Sequence, residues 1–125
     1  MDIGWLYFAR AAPFNGHWVV VICRAAETGD VAALSITSDK PWKDRTCPLT
    51  PRDHPALTVP SLVGYEWAHI LTPADQAQLA GAPGTLRKSP GISRSVLRRI
   101  RQGVSVSTAT PDEVREFVAK HCPKS

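Results

Sequence analysis

Asn15-Gly16-His17-Trp18-Val19-Val20-Val21-Ile22 is the stretch on which the fold turns. Val19 to Ile22 is an unbroken β-branched run, the pattern of a central strand covered on both faces. Asn15-Gly16 in front of it is turn chemistry, so His17 stands at the mouth of the strand. Ala25–Asp30 then reads as a tight connection, a hairpin into a second strand at Val31–Thr37. That strand ends in two hydroxyls, Thr37 and Ser38. Polar side chains at neighbouring strand ends converge on one rim of a small barrel, where the scaffold holds them still.

Working outward, residues 3–9 form an aromatic first strand. Residues 38–60 are turn-laden, with a short extended piece at Thr46–Leu49. Residues 61–71 supply one or two more strands. Helix signals come later. Thr72-Pro73-Ala74-Asp75 offers a capping hydroxyl, proline at the first helical position and an acid in the first turn. Gly81-Ala82-Pro83-Gly84 is read as the end of that helix. Ser93 opens a second helix with an Ile92, Val96, Ile100 stripe, Arg94, Arg98 and Arg101 on its other faces and Gly103 as its stop. Thr110-Pro111-Asp112-Glu113 reads as a capping box for a third. The expected fold is mainly β (α+β): an SH3-like small barrel over about residues 1–71, followed by short C-terminal helices over about 72–122.

The chain has 125 residues, 43% of them hydrophobic and 21% charged, which fits one globular domain and excludes wholesale disorder. Eight of its eleven prolines fall between residues 41 and 90, so short elements joined by rigid turns are expected there. The charge is uneven. Residues 1–86 carry six Lys/Arg against eight Asp/Glu, about −2. Residues 87–125 carry nine against three, about +6. A basic C-terminal third suits an anionic partner, or is simply a solvated helix face.

Cys23, Cys47 and Cys122 show no metal or redox spacing, and no cofactor or metal is expected. Cys23 and Cys47 read as small core residues of a reduced, cytoplasmic protein. Asp2 and Gly4 stand where a signal peptide would carry basic residues, and no apolar run approaches the length of a membrane span.

Taken in order, Asp2-Ile3-Gly4-Trp5, Gly16-His17-Trp18-Val19-Val20-Val21-Ile22, Ser35-Ile36-Thr37-Ser38 and Asp53-His54-Pro55 leading into Ser61-Leu62-Val63-Gly64-Tyr65 resemble the MazF/PemK (CcdB-like) toxin superfamily, in its divergent PemK-like branch. The resemblance spans most of residues 2–105. It implies a homodimeric toxin of a toxin–antitoxin pair, a metal-independent endoribonuclease (a hydrolase) acting on single-stranded RNA, and an acidic antitoxin as partner. The family's catalytic arginine, in an Arg-Pro pair after the strand-opening glycine, is replaced here by His17-Trp18. The alternative is a catalytically silent SH3-like module that binds nucleic acid or protein.

Under the nuclease reading the catalytic candidates are His17, Thr37, Ser38 and His54. Imidazole serves as acid or base near neutral pH, and Asp53 beside His54 could orient its ring. Thr37 and Ser38 could donate to a phosphate. Arg10, Lys40, Trp42, Lys43 and Arg52 are the RNA-binding candidates, because an exposed aromatic among cations stacks bases and neutralises phosphates. Each has a bland reading: strand-ending and turn-bonding groups, solvated arginines, and a loop tryptophan folded back on the barrel. Arg94, Arg98, Arg99 and Arg101 could track a phosphate backbone or meet an acidic tail. Without upstream helices they do not make a helix-turn-helix.

Overall fold

In the computed structural model residues 1–81, 86–89 and 91–123 are described; for 86–88 this extends to the backbone only. The expected helix end at Ala82-Pro83-Gly84 lies outside them. Nine elements follow in order: β1 (Leu6–Ala9), β2 (His17–Arg24), β3 (Val31–Ser38), β4 (Pro48–Leu49), β5 (Ser61–Leu71), α1 (Pro73–Gly81), β6 (Leu86–Ser89), α2 (Arg94–Val106) and α3 (Asp112–His121). The strands form one curled antiparallel sheet in the order β4-β5-β3-β2-β1-β6. The fold is therefore mainly antiparallel β with three helices.

The Val19–Ile22 run does what its composition dictates. Val19 and Val21 join a core with Tyr7, Phe14, Val31, Ala33, Leu71 and Leu79 of α1. Val20 and Ile22 point the other way, into a core with Leu34, Val63, Tyr65, Ile100, Val104, Val114 and Val118, covered by α2 and α3. Successive side chains alternate across the sheet, so a strand apolar at every position is stable only with cover on both sides.

Two irregularities bend the sheet. Val21 pairs with Ala33 but Cys23 with Ala32, which leaves Ile22 as the extra residue of a bulge. Its carbonyl accepts the Nε–H of Arg101 at 2.7 Å. Arg101 is thus half-buried rather than on a solvated face, and desolvation pulls its pKa down. In β5, four residues (65–68) stand opposite the single Leu34 of β3, between the pairs Ser35↔Gly64 and Ala33↔His69.

Most termini follow their expected chemistry. At α1 the Asp75 N–H donates to Thr72 Oγ1 at 3.1 Å and the Thr72 N–H donates back to Asp75 Oδ2 at 3.0 Å. Ser93 caps α2 by accepting the Val96 N–H. Three expectations need correction. The first concerns α3, whose N-cap is Pro111 and carries no side-chain bond, while the buried Thr110 Oγ1 has no hydrogen-bond partner among the described residues. The second is β6, which adds a strand between two helices by pairing with β1, so strands are not confined to the region before residue 72.

The third is Gly103, which does not stop α2 but lies inside it. The Tyr65 hydroxyl donates to the Ile100 carbonyl at 2.8 Å across this point. A Cβ on Gly103 would lie 1.9 Å from the Tyr65 Oη and 2.5 Å from Cζ. We therefore expect Gly103→Ala to cost about 2–3 kcal/mol, because overpacking and a broken buried hydrogen bond outweigh the better helix propensity of alanine. Urea unfolding measures it, and a variant as stable as the parent would refute this packing.

The cysteines need a correction too. Cys23 at the end of β2 is buried but bonded to Cys122, the C-cap of α3; their Cα atoms are 6.1 Å apart and 99 residues separate them. Cys47 is the free cysteine, buried as expected, and burial pushes its thiol pKa up. With two of the three cysteines paired, cysteine usage no longer argues for a reducing compartment. Among the described residues no helix is long and apolar enough to cross a membrane.

Candidate functional site

The site lies where β2 begins and β3 ends. His17 pairs with Ala9 of β1. Trp18 pairs with Ile36, the last pair between β2 and β3, so His17 and Thr37 stand at the same end of these two strands. By alternation both belong to the face of Val19 and Val21. Arg10 follows Ala9 directly, so it reaches the same end of the sheet, where its guanidinium lies 6.0 Å from the Phe8 ring centroid.

The loop from Arg10 to Gly16 fixes His17. Asn15 (φ 51°) and Gly16 (φ 84°) turn the chain through the left-handed region, where asparagine and glycine are the tolerated residues. The Gly16 N–H bonds the Ala9 carbonyl at 2.8 Å, and Phe14 is buried against His69. This holds the Phe14 carbonyl 2.6 Å from His17 Nδ1. A carbonyl can only accept, so the proton is on Nδ1 and the neutral ring keeps its lone pair on Nε2. His17 itself is exposed. The chain has built a histidine with a set tautomer at the surface, and among the described residues nothing bonds its Nε2.

Thr37 is buried, and Lys43 reaches back to it. The Lys43 ammonium donates to Thr37 Oγ1 and, at 3.0 Å, to the Ser38 carbonyl. An ammonium has three donors, so one remains for an anion. Ser38 is exposed at the strand end and pairs with Ser61. The turn carrying Lys43 is closed by its own N–H on the Lys40 carbonyl at 3.1 Å, and the Asp39 N–H ties it to Pro60 at 3.0 Å. Arg45 grips Asp39 through both guanidinium nitrogens, and that hydrogen-bonded pair holds the Asp39 carboxyl below its usual range. At Asp44 burial pulls the carboxyl pKa upward, but bonds from Ser107 and Thr46 win and lower it. Asp44 is a clip between this loop and the residue that caps α2.

Ser38, Asp39, Lys40, Pro41, Arg45, Val59 and Pro60 line a cleft of about 720 Å³ beside this cluster. Trp42 stands 78% exposed next to it. Among the described residues no group of three His, Cys, Asp or Glu side chains could hold a metal ion.

Arg10, His17, Thr37, Ser38 and Lys43 are therefore brought to one end of the sheet, with Lys40 and Trp42 on the adjoining turn. His54 and Arg52 lie in the loop from Leu49 to Ser61, two residues that pair with each other at the Ser38 end of the sheet. His54 is 2% exposed, and its Nδ1 accepts the Ala56 N–H at 2.9 Å, the local backbone bonding a turn residue makes. Asp53 does not orient it in the manner expected. One oxygen of that carboxylate accepts the Thr50 N–H at 2.7 Å and the other meets Arg99 of α2 at 2.8 Å. Arg52 is exposed on the same turn. His54 is thus a buried histidine of the 50–57 loop rather than an exposed one. The Arg45–Asp39 pair and Val59 were missed by sequence reading; Arg45 carried a signal, lying two residues beyond Lys43.

No family model matches this chain, and no match is found among curated proteins or solved structures.

Proposed function

We propose that this chain is a metal-independent endoribonuclease acting on single-stranded RNA, built on an SH3-like barrel and related to the divergent PemK-like toxins. The observation that carries the reading is His17, with Nδ1 committed to the Phe14 carbonyl and Nε2 left to act as a base, at the sheet end that also holds the Lys43–Thr37 bond. In that role Nε2 takes the proton of a ribose 2′-hydroxyl, and the oxygen attacks the adjacent phosphorus. The bond from phosphorus to the 5′-oxygen breaks. The remaining Lys43 donor stabilises the charge on the non-bridging oxygens, and the departing oxygen takes a proton from the ammonium or from water. The products are a 2′,3′-cyclic phosphate and a 5′-hydroxyl.

Lys43 thereby supplies the positive charge that the family's arginine would have provided. Arg10 stands at the same sheet end, but its guanidinium lies over the Phe8 ring, on the face opposite His17. The exposed Arg94 and Arg98 of α2 offer a basic surface that an acidic antitoxin tail would fit, and homodimerisation belongs to the same reading. The competing reading is a silent binding module, favoured by His17-Trp18 standing in place of Arg-Pro.

The test is incubation of purified protein with mixed single-stranded RNA in excess EDTA. We expect cleavage to persist, and the 2′-deoxy strand to be bound but left whole, since the attacking group is absent. Cleavage abolished by chelator would overturn the mechanism. Binding of RNA without any cutting would leave the silent module.

A further inference from the structure

Among the described residues Trp42 is the most exposed of the large hydrophobic side chains. It is 78% exposed, with Val59, 49% exposed, lining the adjoining cleft. Leaving an indole in water forgoes about 2–3 kcal/mol of burial, so its position calls for a use. Its turn is not loose. The Lys43 N–H closes it on Lys40, the Lys43 ammonium bonds the Ser38 carbonyl, and Asp39 is tied both to Pro60 and to Arg45. A ring presented on a braced turn loses little entropy when something stacks on it.

The charges beside Trp42 say what that would be. Arg45 is neutralised by Asp39, but Lys40 and Lys43 have no carboxylate partner among the described residues. An apolar face flanked by two lysines that form no ion pair complements a flat aromatic group that carries negative charge at its edge. We propose that Trp42, with Pro41, Val59 and Pro60 as the cleft wall, is a nucleobase subsite. One unpaired base stacks on the indole, and its phosphates pass over Lys40 and Lys43 toward Thr37. The inference rests on the RNA reading above and adds to it a defined place for one base beside the bond to be cut. The Asp39 carboxylate and Arg45 guanidinium at the cleft edge present an acceptor and donors to the rim of that base.

The experiment uses the full chain and a single-stranded 2′-O-methyl RNA, which cannot be cut because the attacking hydroxyl is blocked. Affinity is read by anisotropy and by quenching of tryptophan fluorescence. We expect Trp42→Ala to weaken binding about 5- to 150-fold with an unchanged salt slope, and Trp42→Phe to restore part of the loss. Lys40→Ala should instead flatten the salt dependence. An abasic site moved along the oligonucleotide should cost the parent affinity at one position, and cost Trp42→Ala nothing there. Trp42 is exposed, so its variants should melt with the parent.

Trp42→Ala binding as tightly as the parent would overturn the subsite while leaving cleavage intact. Loss of binding in Trp42→Ala, in a parent that cuts no RNA, would uphold the subsite and overturn the nuclease. A parent with no affinity for single strands would overturn both.

Discussion

Replacing His17 with alanine should lower the single-turnover rate of RNA cleavage about 100- to 10,000-fold, the usual contribution of a general acid–base group. The fold should survive, because His17 is exposed at the start of β2 and its fixed contact is one hydrogen bond to the Phe14 carbonyl. His17→Asn sharpens the test, since an amide can still donate to that carbonyl but offers no basic nitrogen. It should be as inactive as alanine and nearer the parent in stability. Affinity for the uncleavable strand should change little in either. Lys43→Ala should also lose rate, by removing the ammonium from Thr37. Arg99→Ala should not, because Arg99 is occupied with Asp53 and an exposed ion pair of this kind is worth about 0–1 kcal/mol. Equal cutting by parent and His17→Ala would identify a contaminating nuclease or the wrong residue. A loss shared by all four variants, Arg99→Ala included, would point to damage of the fold.

The rim that holds His17 was legible because strand chemistry is local. A β-branched run needs cover on both faces, Asn-Gly needs a turn, and Thr-Pro-x-Asp satisfies helix N–H groups within four residues. β2, β3, their hairpin and the start of α1 follow from such short-range rules. The features that escaped are those fixed by distant partners. Leu86–Ser89 has no alternating pattern and becomes a strand only by pairing with β1. Gly103 reads as a helix stop until the Tyr65 hydroxyl is seen to occupy the space of its missing side chain. Asp53-His54-Pro55 would look the same on an open rim or inside a loop, and only the burial of His54 separates the cases. Lys43 could be read as a cation, but not as the group that reaches Thr37.

The pairing of Cys23 with Cys122 is the extreme case, and it leads to the largest expected stability effect. No spacing rule connects cysteines 99 residues apart. A cross-link over a loop of that size restricts the unfolded chain strongly, by about 4–5 kcal/mol in the chain-entropy description, with 2–5 kcal/mol the usual loss on removal. We expect the urea midpoint to fall accordingly when a dithiol reductant is present, and Cys122→Ser to reproduce the fall without reductant. Cys122 is the better site to change, because Cys23 is fully buried and a serine hydroxyl there would add its own desolvation cost. The loss should be local before it is global. Beyond the disulfide, α3 is held by Val114, Val118 and the partly buried Phe117. In the reduced protein trypsin should therefore cut first at Arg115 and Lys120, while β2 stays protected. Thiol titration supplies the direct check. The oxidised protein should show no reactive thiol when native, because Cys47 is buried and hard to ionise, and one when denatured. Three thiols on denaturation without reductant would show that the bond does not form, and an unchanged midpoint in Cys122→Ser would show that it does not hold α3.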